Sequence, residues 1–546
     1  MAPGPTVAEV VGRTLVDSGV DHVFGVVGSG NFHVTNAMVA AGARFVAARH
    51  EGGAATMADA FARTSDRPAA VTVHQGCGLT NAMTGITEAA KSRTPVVVVA
   101  AEVTEPRSNF FVDQEALARA VGAVPFRVSD ATTAREVARH AVRTAVTTRR
   151  TVVLNLPLAV QALTAGQAPS STHGREEAVV TPSGEDLDRL VDAVRRAERP
   201  VFVAGRGARG AGPAVAEAAE RAGALLAESA VAKGLFTGHP WSLGVSGGFA
   251  SPGAAELIGD ADLIVGWGCT LNMWTMRHGK LIAPGATVVQ VDDTVEALGA
   301  HRELTFGVLG DVEATATELE KSLTGDLTGY RTDEVRRRLE AGIGWASATY
   351  DDLGGHGLID PRTLTRDLDV LLPADRVVAV DSGNFMGYPA AYLGVGDHHS
   401  FCFTQAFQSI GLGLATAVGA AIASPGRLTV AALGDGGALM SAMELETVVR
   451  LGLDMLVVVY DDHAYGAEVH HFGPDGAPLD TVVFPDTDIA AIGRGFGFDA
   501  VTVRAPGDLD AVRAWLDAGR PRPMLVDAKV VDSQPSWWLE EAFRGH

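Results

Sequence analysis

Cysteine and positive charge are both scarce in this sequence, and each shortage excludes a class of protein. The 546 residues include only three cysteines, Cys77, Cys269 and Cys402, which lie far apart along the chain. This set excludes a disulfide framework and a multi-cysteine zinc site, and it fits reduced thiols. The 44 basic residues are outnumbered by 65 acidic ones, and the formal net charge of −21 repels nucleic acid and anionic lipid surfaces. We therefore expect neither nucleic acid nor a membrane as a partner.

Long apolar runs are also missing. The stretch MAPGPTVAEVVGRTLVDSGV at the start lacks a basic segment followed by a continuous apolar run, and no window is apolar enough to span a bilayer. This predicts a cytoplasmic protein. Glycine is abundant instead, with 63 residues, and the hydrophobic fraction is 47%. A chain of this length is too large for one hydrophobic core, which favours two to four domains.

Short runs rich in valine and alanine recur along the chain, among them PVVVVAAE, RPVFVAG and MLVVVYDD. Each is followed by glycine or an acidic residue and then by a helical pattern. This alternation predicts an α/β protein built from doubly wound parallel sheets, in which ligands bind beyond the carboxyl ends of the strands. Two stretches, near residues 165–186 and 323–360, interrupt the alternation and are typical of linkers. They divide the chain into three parts.

The first and third parts contain segments with the same pattern. AVTVHQGCGLTNAMTGITEAAKSRTPVVVVAAE and LTVAALGDGGALMSAMELETVVRLGLDMLVVVYDD both predict a strand, a glycine-containing loop, a helix, a second strand and an acid. The step from Gly76 to Glu102 is 26 residues and that from Gly434 to Asp461 is 27. The pattern is consistent with a duplicated βαβ unit and also with the general similarity of any two such units.

The loop LGDGGA, which contains Asp435, ends one predicted strand and opens a helix, so its free N–H groups could bind an anion. The Asp435 carboxylate would repel a phosphate unless a divalent cation lay between them. Asp462 follows the next strand, 27 residues later. Adjacent parallel strands would bring both carboxylates to the same sheet edge. We therefore predict a Mg²⁺ site formed by Asp435, Asp462 and the carbonyl of Ala464.

A GDG motif followed at this spacing by a strand that ends in two polar residues resembles the cofactor signature of thiamine diphosphate (ThDP)-dependent enzymes. In that family the second polar residue is usually asparagine, where this chain has Asp462. The segments VFGVVGSGN, ARHEGGAATMADAFAR, GCGLTNAMTGITEA, VVAVDSGNFMG and QSIGLGLATAVGA also resemble the family, in the right order and over nearly the whole chain. The chain is similar to acetolactate synthases, benzoylformate decarboxylase and pyruvate decarboxylase.

The resemblance implies three domains and more than one subunit. A pyrimidine-binding domain would span residues 1–170, a Rossmann-like middle domain 186–325 and a diphosphate-binding domain 358–535. The active site would form between the first domain of one subunit and the third domain of another. The resemblance thus implies a homodimer or a homotetramer.

The resemblance also implies roles for individual residues. Glu51 would hydrogen-bond the aminopyrimidine ring, and Ile410 would support the bent cofactor; on residue type alone these would be a helix-start glutamate and a core isoleucine. Ser382 would lie on the diphosphate side. The implied cofactor-binding residues are Glu51, Gly383, Asn384, Gln408, Ile410, Gly434, Asp435, Gly436, Gly437, Asp462, Ala464 and Tyr465.

Three further residues are candidates for the substrate side. His74 resembles a histidine of benzoylformate decarboxylase and would act as a proton shuttle, although a histidine after a strand is usually a structural donor. Ser29 resembles a substrate-contacting serine of the same decarboxylase. Gln114 resembles a glutamine of the acetolactate synthases and would be a polar contact. Together with Glu51 these are the predicted catalytic residues.

The expected reaction is ThDP- and Mg²⁺-dependent decarboxylation of a 2-oxo acid. By similarity to acetolactate synthases, the resulting acyl anion would be transferred to a second carbonyl, of an aldehyde or a ketone. Simple non-oxidative decarboxylation is the alternative that His74 favours. A non-catalytic relative is a third alternative, against which Glu51 and Asp435 argue.

A dinucleotide-binding pattern is present as well. Gly205, Gly207 and Gly210 spell GxGxxG after a predicted strand, and Glu228 ends the next strand. The pattern leaves FAD open as an additional cofactor in the middle domain.

Two other features have more than one interpretation. His463, His470 and His471 lie close to Asp461 and Asp462, as in a transition-metal hydrolase, but they lack the i, i+4 pair that favours such a site. Asp461 could also serve only as a helix cap. In the tail, Trp537 and Trp538 would pack over the cofactor mouth or against a neighbour. Trp274 and His278 lie near the place where some decarboxylases have a middle-domain histidine.

Overall fold

The computed structural model describes residues 4–166, 179–325, 327–532 and 536–539. These residues form three six-stranded sheets in which every strand pairing is parallel. The strands of the first sheet are β1 (His22–Gly25), β2 (Arg44–Ala47), β3 (Ala69–Val73), β4 (Val96–Glu102), β5 (Val124–Arg127) and β6 (Val152–Pro157). Those of the second are β7 (Pro200–Ala204), β8 (Leu225–Glu228), β9 (Ser242–Val245), β10 (Leu263–Trp267), β11 (Thr287–Asp292) and β12 (Phe306–Leu309). Those of the third are β13 (Arg376–Val380), β14 (Phe401–Phe403), β15 (Leu428–Gly434), β16 (Met455–Asp461), β17 (Asp499–Val503) and β18 (Met524–Lys529).

Helices cover the faces of each sheet. Those around the first sheet are α1 (Val7–Asp17), α2 (Phe32–Ala40), α3 (Glu51–Ser65), α4 (Cys77–Lys91), α5 (Gln114–Ala120), α6 (Ala134–Thr147) and α7 (Leu158–Gln161). The middle part contains α8 (Gly184–Arg196), α9 (Gly212–Ala222), α10 (Pro252–Gly259), α11 (Val312–Ser322) and α12 (Asp333–Glu340). The third contains α13 (Pro361–Leu371), α14 (Gly387–Tyr392), α15 (Gly413–Ala423), α16 (Asp435–Met440), α17 (Glu444–Leu451), α18 (Gly466–Phe472), α19 (Ile489–Phe496) and α20 (Asp510–Asp517).

The strand order shows how the three sheets are related. The first sheet runs β2-β1-β3-β4-β6-β5 and the third runs β14-β13-β15-β16-β18-β17, which is the same order counted from the first strand of each. The second sheet runs β12-β11-β10-β7-β8-β9, the order of a Rossmann sheet. The predicted α/β class with three doubly wound sheets is confirmed. The duplicated segments occupy equivalent places, since they form β3-α4-β4 and β15-α16-α17-β16.

The valine-rich runs form the central strands. All seven residues of β4 and of β16 are buried, because helices pack on both faces of each sheet. The predicted linker near residues 165–186 lies partly outside the described residues, whose next helix, α8, starts at Gly184. The second predicted linker contains α12, an amphipathic helix with Val335 buried. Among the described residues, no helix is both long and apolar enough to cross a membrane.

The first and third sheets share one hydrophobic core. Helices α3 and α15 pack against each other, and core residues of both parts form a single cluster. The helices approach closely at Gly419, where an added Cβ would lie 2.2 Å from the Met57 carbonyl oxygen. This packing fixes the position of the first sheet relative to the third within one chain.

Candidate active site

A cavity of about 730 Å³ opens at the carboxyl edge of the third sheet. It is lined by eleven of the twelve predicted cofactor-binding residues: Gly383, Asn384, Gln408, Ile410, Gly434, Asp435, Gly436, Gly437, Asp462, Ala464 and Tyr465. Ser382 lines it too. The structure thus brings these residues together, while their contacts with a cofactor stay a prediction.

The strand register explains why Asp435 and Asp462 meet. Gly434 on β15 pairs with Tyr460 on β16, so Asp435 leaves one strand end and Asp462 the next at the same edge. Burial raises the pKa of Asp435 to about 7, with a further contribution from the Asp461 charge. Burial and the Asp435 charge raise the pKa of Asp462 to about 8. Among the described residues, no basic side chain forms an ion pair with either carboxyl.

This donor set fits a hard divalent cation. Asp435 is buried and Asp462 is half-buried. Two such carboxyls without a cationic partner are electrostatically unfavourable, and Mg²⁺ prefers oxygen ligands of this kind. The Asp462 Oδ1 atom accepts a hydrogen bond of 3.2 Å from the Ala464 N–H, which places Ala464 beside the pair. His463, between them, has a φ of +58°, an uncommon backbone conformation for a residue other than glycine.

Asp461 has a different environment from Asp462. The Lys529 ammonium donates to Asp461 Oδ2 at 2.5 Å and lies 2.8 Å from Asp486 Oδ1. Asp461 Oδ1 also accepts from the His463 N–H at 3.1 Å, in the turn after β16. Asp461 does not cap the next helix, because α18 begins at Gly466 and has Tyr465 at its N-cap position without a side-chain hydrogen bond. Asp461, His463 and Asp486 could by spacing hold a metal, but the Lys529 ammonium already supplies a positive charge there. His470 and His471 lie on the neighbouring helix α18.

A buried carboxyl that sequence reasoning missed, Asp381, holds one wall of the cavity. It directly follows β13 and accepts backbone hydrogen bonds from Gly411 at 3.0 Å and Leu412 at 3.2 Å. Burial raises its pKa to about 6 despite these bonds. Its place directly after the valine-rich run RVVAV, residues 376–380, was the signal that could have identified it.

Glycine is required where the cavity wall is tightest. A Cβ on Gly437 would lie 2.2 Å from Asp381 Oδ2, and one on Gly436 would lie 2.6 Å from the Tyr465 ring. The glycines of the GDGG loop therefore leave backbone, without side chains, facing the cavity. Such a surface suits a phosphate group at a helix start.

The predicted catalytic residues lie at the carboxyl edge of the first sheet instead. Glu51 is the first residue of α3, and its Oε2 atom accepts a hydrogen bond of 3.0 Å from Asn81 on α4. The His74 Nδ1 atom accepts from the Gly30 N–H at 3.2 Å, and its ring packs edge-on against Phe110. Because Nδ1 is an acceptor, the neutral ring carries its hydrogen on Nε2, which is thereby available as a donor.

The other two predicted catalytic residues differ in environment. Ser29 is exposed in the loop after β1, between Gly28 and Gly30, which both contact His74. Gln114 is buried, its Oε1 atom accepts from the Gly76 N–H at 3.1 Å, and its Nε2 atom donates to Asn155 at 2.8 Å. This arrangement favours a role for Gln114 in holding the loop before α4 over contact with a substrate.

The two groups of residues do not share a cavity within one chain. The lining of the large cavity comes from residues 273–274, 382–468 and 539, and none of the described residues 4–166 contributes to it. Four further residues add apolar surface to the cavity: Met273, Trp274, Phe385 and Met440. None of them was predicted as a cofactor-binding or catalytic residue.

The N–H groups of the glycine-rich loop in the middle domain are already hydrogen-bonded within the chain. The Gly205 N–H donates to the Trp267 carbonyl at 2.8 Å, and the Gly207 N–H donates to the Gly268 carbonyl at 3.0 Å. Glu228 is buried and accepts from the Gly234 N–H at 2.7 Å. The groups that would bind a dinucleotide in the GxGxxG interpretation are therefore bonded to the chain itself, although Gly210 has open space beside it.

The tail residues 536–539 lie beside the cavity mouth. Ser536 Oγ donates to the Asn384 carbonyl at 2.6 Å, and Leu539 lines the large cavity. Trp537 Nε1 donates to the Gly248 carbonyl at 2.9 Å, and Trp538 packs against Phe249. Both tryptophans line an adjoining cavity of about 180 Å³, together with Gly248, Met273, Trp274, Arg277 and His278. Trp537 and Trp538 thus pack against a neighbouring domain, next to the mouth.

Three family models match the chain, one to each sheet. Residues 5–121 match the N-terminal binding domain of thiamine pyrophosphate enzymes, 187–319 match the central domain and 381–528 match the C-terminal binding domain. The matched ranges fall inside the three predicted domains, whose boundaries stay predictions.

The proteins that this chain is similar to are named for several different reactions. The chain is 29% identical to sulfoacetaldehyde acetyltransferase of Castellaniella defragrans, over 85% of this chain and 82% of that protein. It is 29% identical to a probable 2-ketoarginine decarboxylase of Pseudomonas aeruginosa, with 94% and 92% covered. It is 25% identical to acetolactate synthase of Bacillus subtilis, with 96% and 93% covered. A solved structure, the ThDP-dependent 4-hydroxybenzoylformate decarboxylase of Rhodococcus jostii, has the same fold, with a TM-score of 0.81 at 22% identity over 97% of this chain and all of the other.

Proposed function

Because the chain belongs to the thiamine pyrophosphate enzyme family, we propose that it uses ThDP and Mg²⁺ to decarboxylate a 2-oxo acid and that the resulting acyl anion is then protonated to give an aldehyde. The family assignment confirms the resemblance seen in the sequence. The observation that carries the proposal is the pair of carboxyls, Asp435 and Asp462, which meet at one strand edge inside a large cavity and lack a cationic partner among the described residues.

The residues of the cavity suit both cofactors. Asp435, Asp462 and the carbonyl of Ala464 would hold Mg²⁺, and the GDGG backbone and Asn384 would hold the diphosphate. Gln408 and Ile410 would contact the organic rings. When bound, ThDP supplies the carbon nucleophile and the electron sink that amino-acid side chains lack.

Glu51 and His74 would complete the site from a second subunit. In its own chain, Glu51 lies outside the lining of the cofactor cavity. Apolar side chains are exposed on both halves of the site, among them Phe32 and Phe110 in the first domain and Phe407 and Met440 in the third. Exposed apolar surface of this kind is typical of subunit interfaces. These features support a homodimer or homotetramer with active sites between subunits.

The fate of the acyl anion depends on what lies near the substrate. His74 presents an Nε2–H donor at the same sheet edge as Glu51, where a Cβ on Gly78 would lie 3.2 Å from His74 Cβ and 3.5 Å from Glu51 Oε1. Such a donor suits protonation of the acyl anion. Gln114, the residue that pointed to transfer onto a second carbonyl, is bonded at both ends inside the first domain. Protonation is therefore our first candidate. Carboligation is the second, because the relatives include an acetolactate synthase and acetyltransferases.

Product analysis with a panel of 2-oxo acids tests the proposal. The protein would be incubated with ThDP and Mg²⁺, with and without aldehydes and ketones, and CO₂, aldehyde product and 2-hydroxyketone would be quantified. We expect CO₂ and aldehyde in equal amounts. Hydroxyketone as the main product would favour carboligation, and no CO₂ from any acid would leave the non-catalytic alternative.

A further inference from the structure

Glu88, on α4 of the first domain, is bonded to the backbone of the third domain. Its side chain is buried, Oε1 accepts from the Ala406 N–H at 3.1 Å, and Oε2 accepts from the Phe407 N–H at 2.6 Å. The Arg63 guanidinium donates to Oε1 at 2.7 Å and also pairs with the buried Asp59 carboxyl at 2.7 Å. These contacts hold the pKa of Glu88 below its usual value. Gln408, the next residue, lines the cofactor cavity and has a φ of +62°.

Glu444, on α17 of the third domain, makes the converse contact. It is buried, and its Oε1 atom accepts from the Arg49 N–H at 3.0 Å and from the His50 N–H at 3.1 Å. Its Oε2 atom accepts from the Thr447 hydroxyl at 2.6 Å. The residue after His50 is Glu51, the predicted catalytic glutamate. The space around Glu444 is tight, since a Cβ on Gly53 would lie 2.5 Å from Oε1.

The two contacts are equivalent under the duplication of the fold. Glu88 lies on the helix after β3, and Glu444 lies on the helix segment after β15, which is the same place in the two sheets. Glu88 binds the loop before α15, and Glu444 binds the loop before α3; α3 and α15 pack against each other. Each domain thus supplies one buried carboxylate to two consecutive N–H groups of the other domain.

We propose that Glu88 and Glu444 are reciprocal positioning residues, which fix the backbone at residues 405–408 and 49–51 so that each domain sets the active loop of the other. The proposal rests on the proposed function only in the roles of Glu51, Gln408 and Ile410. Neither glutamate lines the cofactor cavity, so both act through the residues they hold. A displacement of about 1 Å in a reacting group costs roughly 100-fold in rate, so the placement of these loops matters for catalysis.

The two glutamates respond differently to conversion to glutamine. In Glu444→Gln, the amide oxygen can keep both N–H donors while the NH₂ group donates to the Thr447 hydroxyl, so every bond is retained. In Glu88→Gln, the amide NH₂ group must replace one of two oxygens that both accept from the loop backbone. Whichever way the amide is turned, its NH₂ group faces a backbone N–H. Two donors would then oppose each other.

Amide hydrogen exchange in the cofactor-free protein tests the positioning directly. We expect residues 49–51 to exchange at least about tenfold faster in Glu444→Ala, and residues 405–408 to do so in Glu88→Gln, with wild-type exchange at both loops in Glu444→Gln. The matched controls are Glu446→Gln and Glu102→Gln. Glu446 lies on α17 and contacts the Arg49 side chain, whereas Glu102 is a buried acid that pairs with Arg127 in the first domain. Neither control should change the exchange of either loop.

Steady-state kinetics and cofactor titration complete the test. We expect kcat to fall roughly 100-fold in Glu444→Ala and in Glu88→Gln while KM changes by less than about threefold, and Glu444→Gln to keep at least about half of wild-type kcat. If Glu444→Ala does not fold, the contrast between the two glutamine variants decides. Unchanged exchange in the affected loops, or equal kcat for Glu88→Gln and Glu444→Gln, would overturn the proposal. Failure of the proposed function would instead appear as absence of CO₂ from wild type, and it would leave the exchange results valid.

Discussion

Asp462 gives the proposed metal site one more negative charge than the asparagine that is usual at this position in the family. Burial raises the pKa of Asp462 to about 8, with a further contribution from the Asp435 charge, so the ionised form is unfavourable without a cation. With Mg²⁺ bound, the same charge would strengthen the attraction to the metal. We therefore expect this residue to make both the stability of the protein and the proposed metal binding depend on pH.

Asp462→Asn should flatten the pH dependence of stability in the cofactor-free protein. An unfolded aspartate titrates near pH 4, whereas Asp462 in the folded protein has a pKa of about 8. Between these values the unfolded chain binds fewer protons, so the free energy of unfolding falls as pH rises. We expect the variant to remove up to about 1.4 kcal/mol per pH unit of this fall between pH 5 and 7. Urea unfolding over that range, without Mg²⁺ and ThDP, measures it.

The control for this experiment is Asp475→Asn, a change at an exposed aspartate in the same domain. The free energy of unfolding of this variant should change with pH as steeply as that of the wild-type protein. Equal slopes for Asp462→Asn and wild type would show that Asp462 is ionised in the folded protein at neutral pH, contrary to the expectation.

His74→Gln should shift the products away from simple decarboxylation. The imidazole is the proposed proton donor, and loss of such a group typically costs about 100-fold or more in the step it serves. We expect the ratio of aldehyde to hydroxyketone, measured with an added aldehyde acceptor, to fall at least about tenfold. His33→Gln, on the exposed face of α2, serves as the control and should keep the wild-type ratio. An unchanged ratio in the His74 variant would assign the proton transfer to another group.

At the scale of elements, the crossing of α3 and α15 decides where the active loops lie. Helix α3 begins at Glu51, and α15 begins shortly after the loop that carries Gln408 and Ile410, so predicted cofactor-binding residues lie at the start of both helices. The close approach at Gly419 lets the two helix starts be held by Glu444 and Glu88. A change in the helix crossing would therefore move both loops.

Gly419→Ala should destabilise the protein by about 1–3 kcal/mol, because the new Cβ would lie 2.2 Å from the Met57 backbone oxygen and the helices would have to separate. Gly259→Ala is the matched control. It is also a helical glycine, but nothing lies within 4 Å of its added Cβ, so it should be neutral or slightly stabilising. Denaturant unfolding of both variants measures the difference. Equal stabilities would show that the helix crossing can adjust without cost.

At the scale of the whole molecule, Glu51 lies outside the cofactor cavity of its own chain, so the proposed function needs a second chain to complete the site. A mixture of Glu51→Gln and Asp435→Ala chains tests this requirement, since each variant should be inactive alone. In a randomly associating dimer, half of the molecules would be mixed and one of their two sites would be intact. We expect about a quarter of wild-type activity after co-refolding.

The arrangement of the chains would be read from the same experiment together with light scattering. No recovered activity from a mixture that forms mixed dimers would place Glu51 and Asp435 in one site of one chain. A monomer at assay concentration that retains activity would have the same meaning.

The sequence by itself determined the three α/β sheets and the residues at the edge of the third. Valine-rich strands and the GDG spacing are local patterns, and parallel pairing carries the ends of neighbouring strands to one edge, so Asp435, Asp462 and the glycines could be placed in advance. It also indicated the duplication, because both segments carry the same local pattern.

Only the tertiary structure decided which acids hold distant backbone segments. Glu88, Glu444 and Asp381 look like ordinary helix and strand-end acids in the sequence, since their partners are backbone N–H groups that are 30 to almost 400 residues away in the chain. Gln114 looked like a substrate contact for the converse reason. Its hydrogen bonds to Gly76 and Asn155 form only when β3 and β6 pair with the two sides of β4. Hydrogen bonds to distant backbone leave no periodic pattern, so folding alone reveals them.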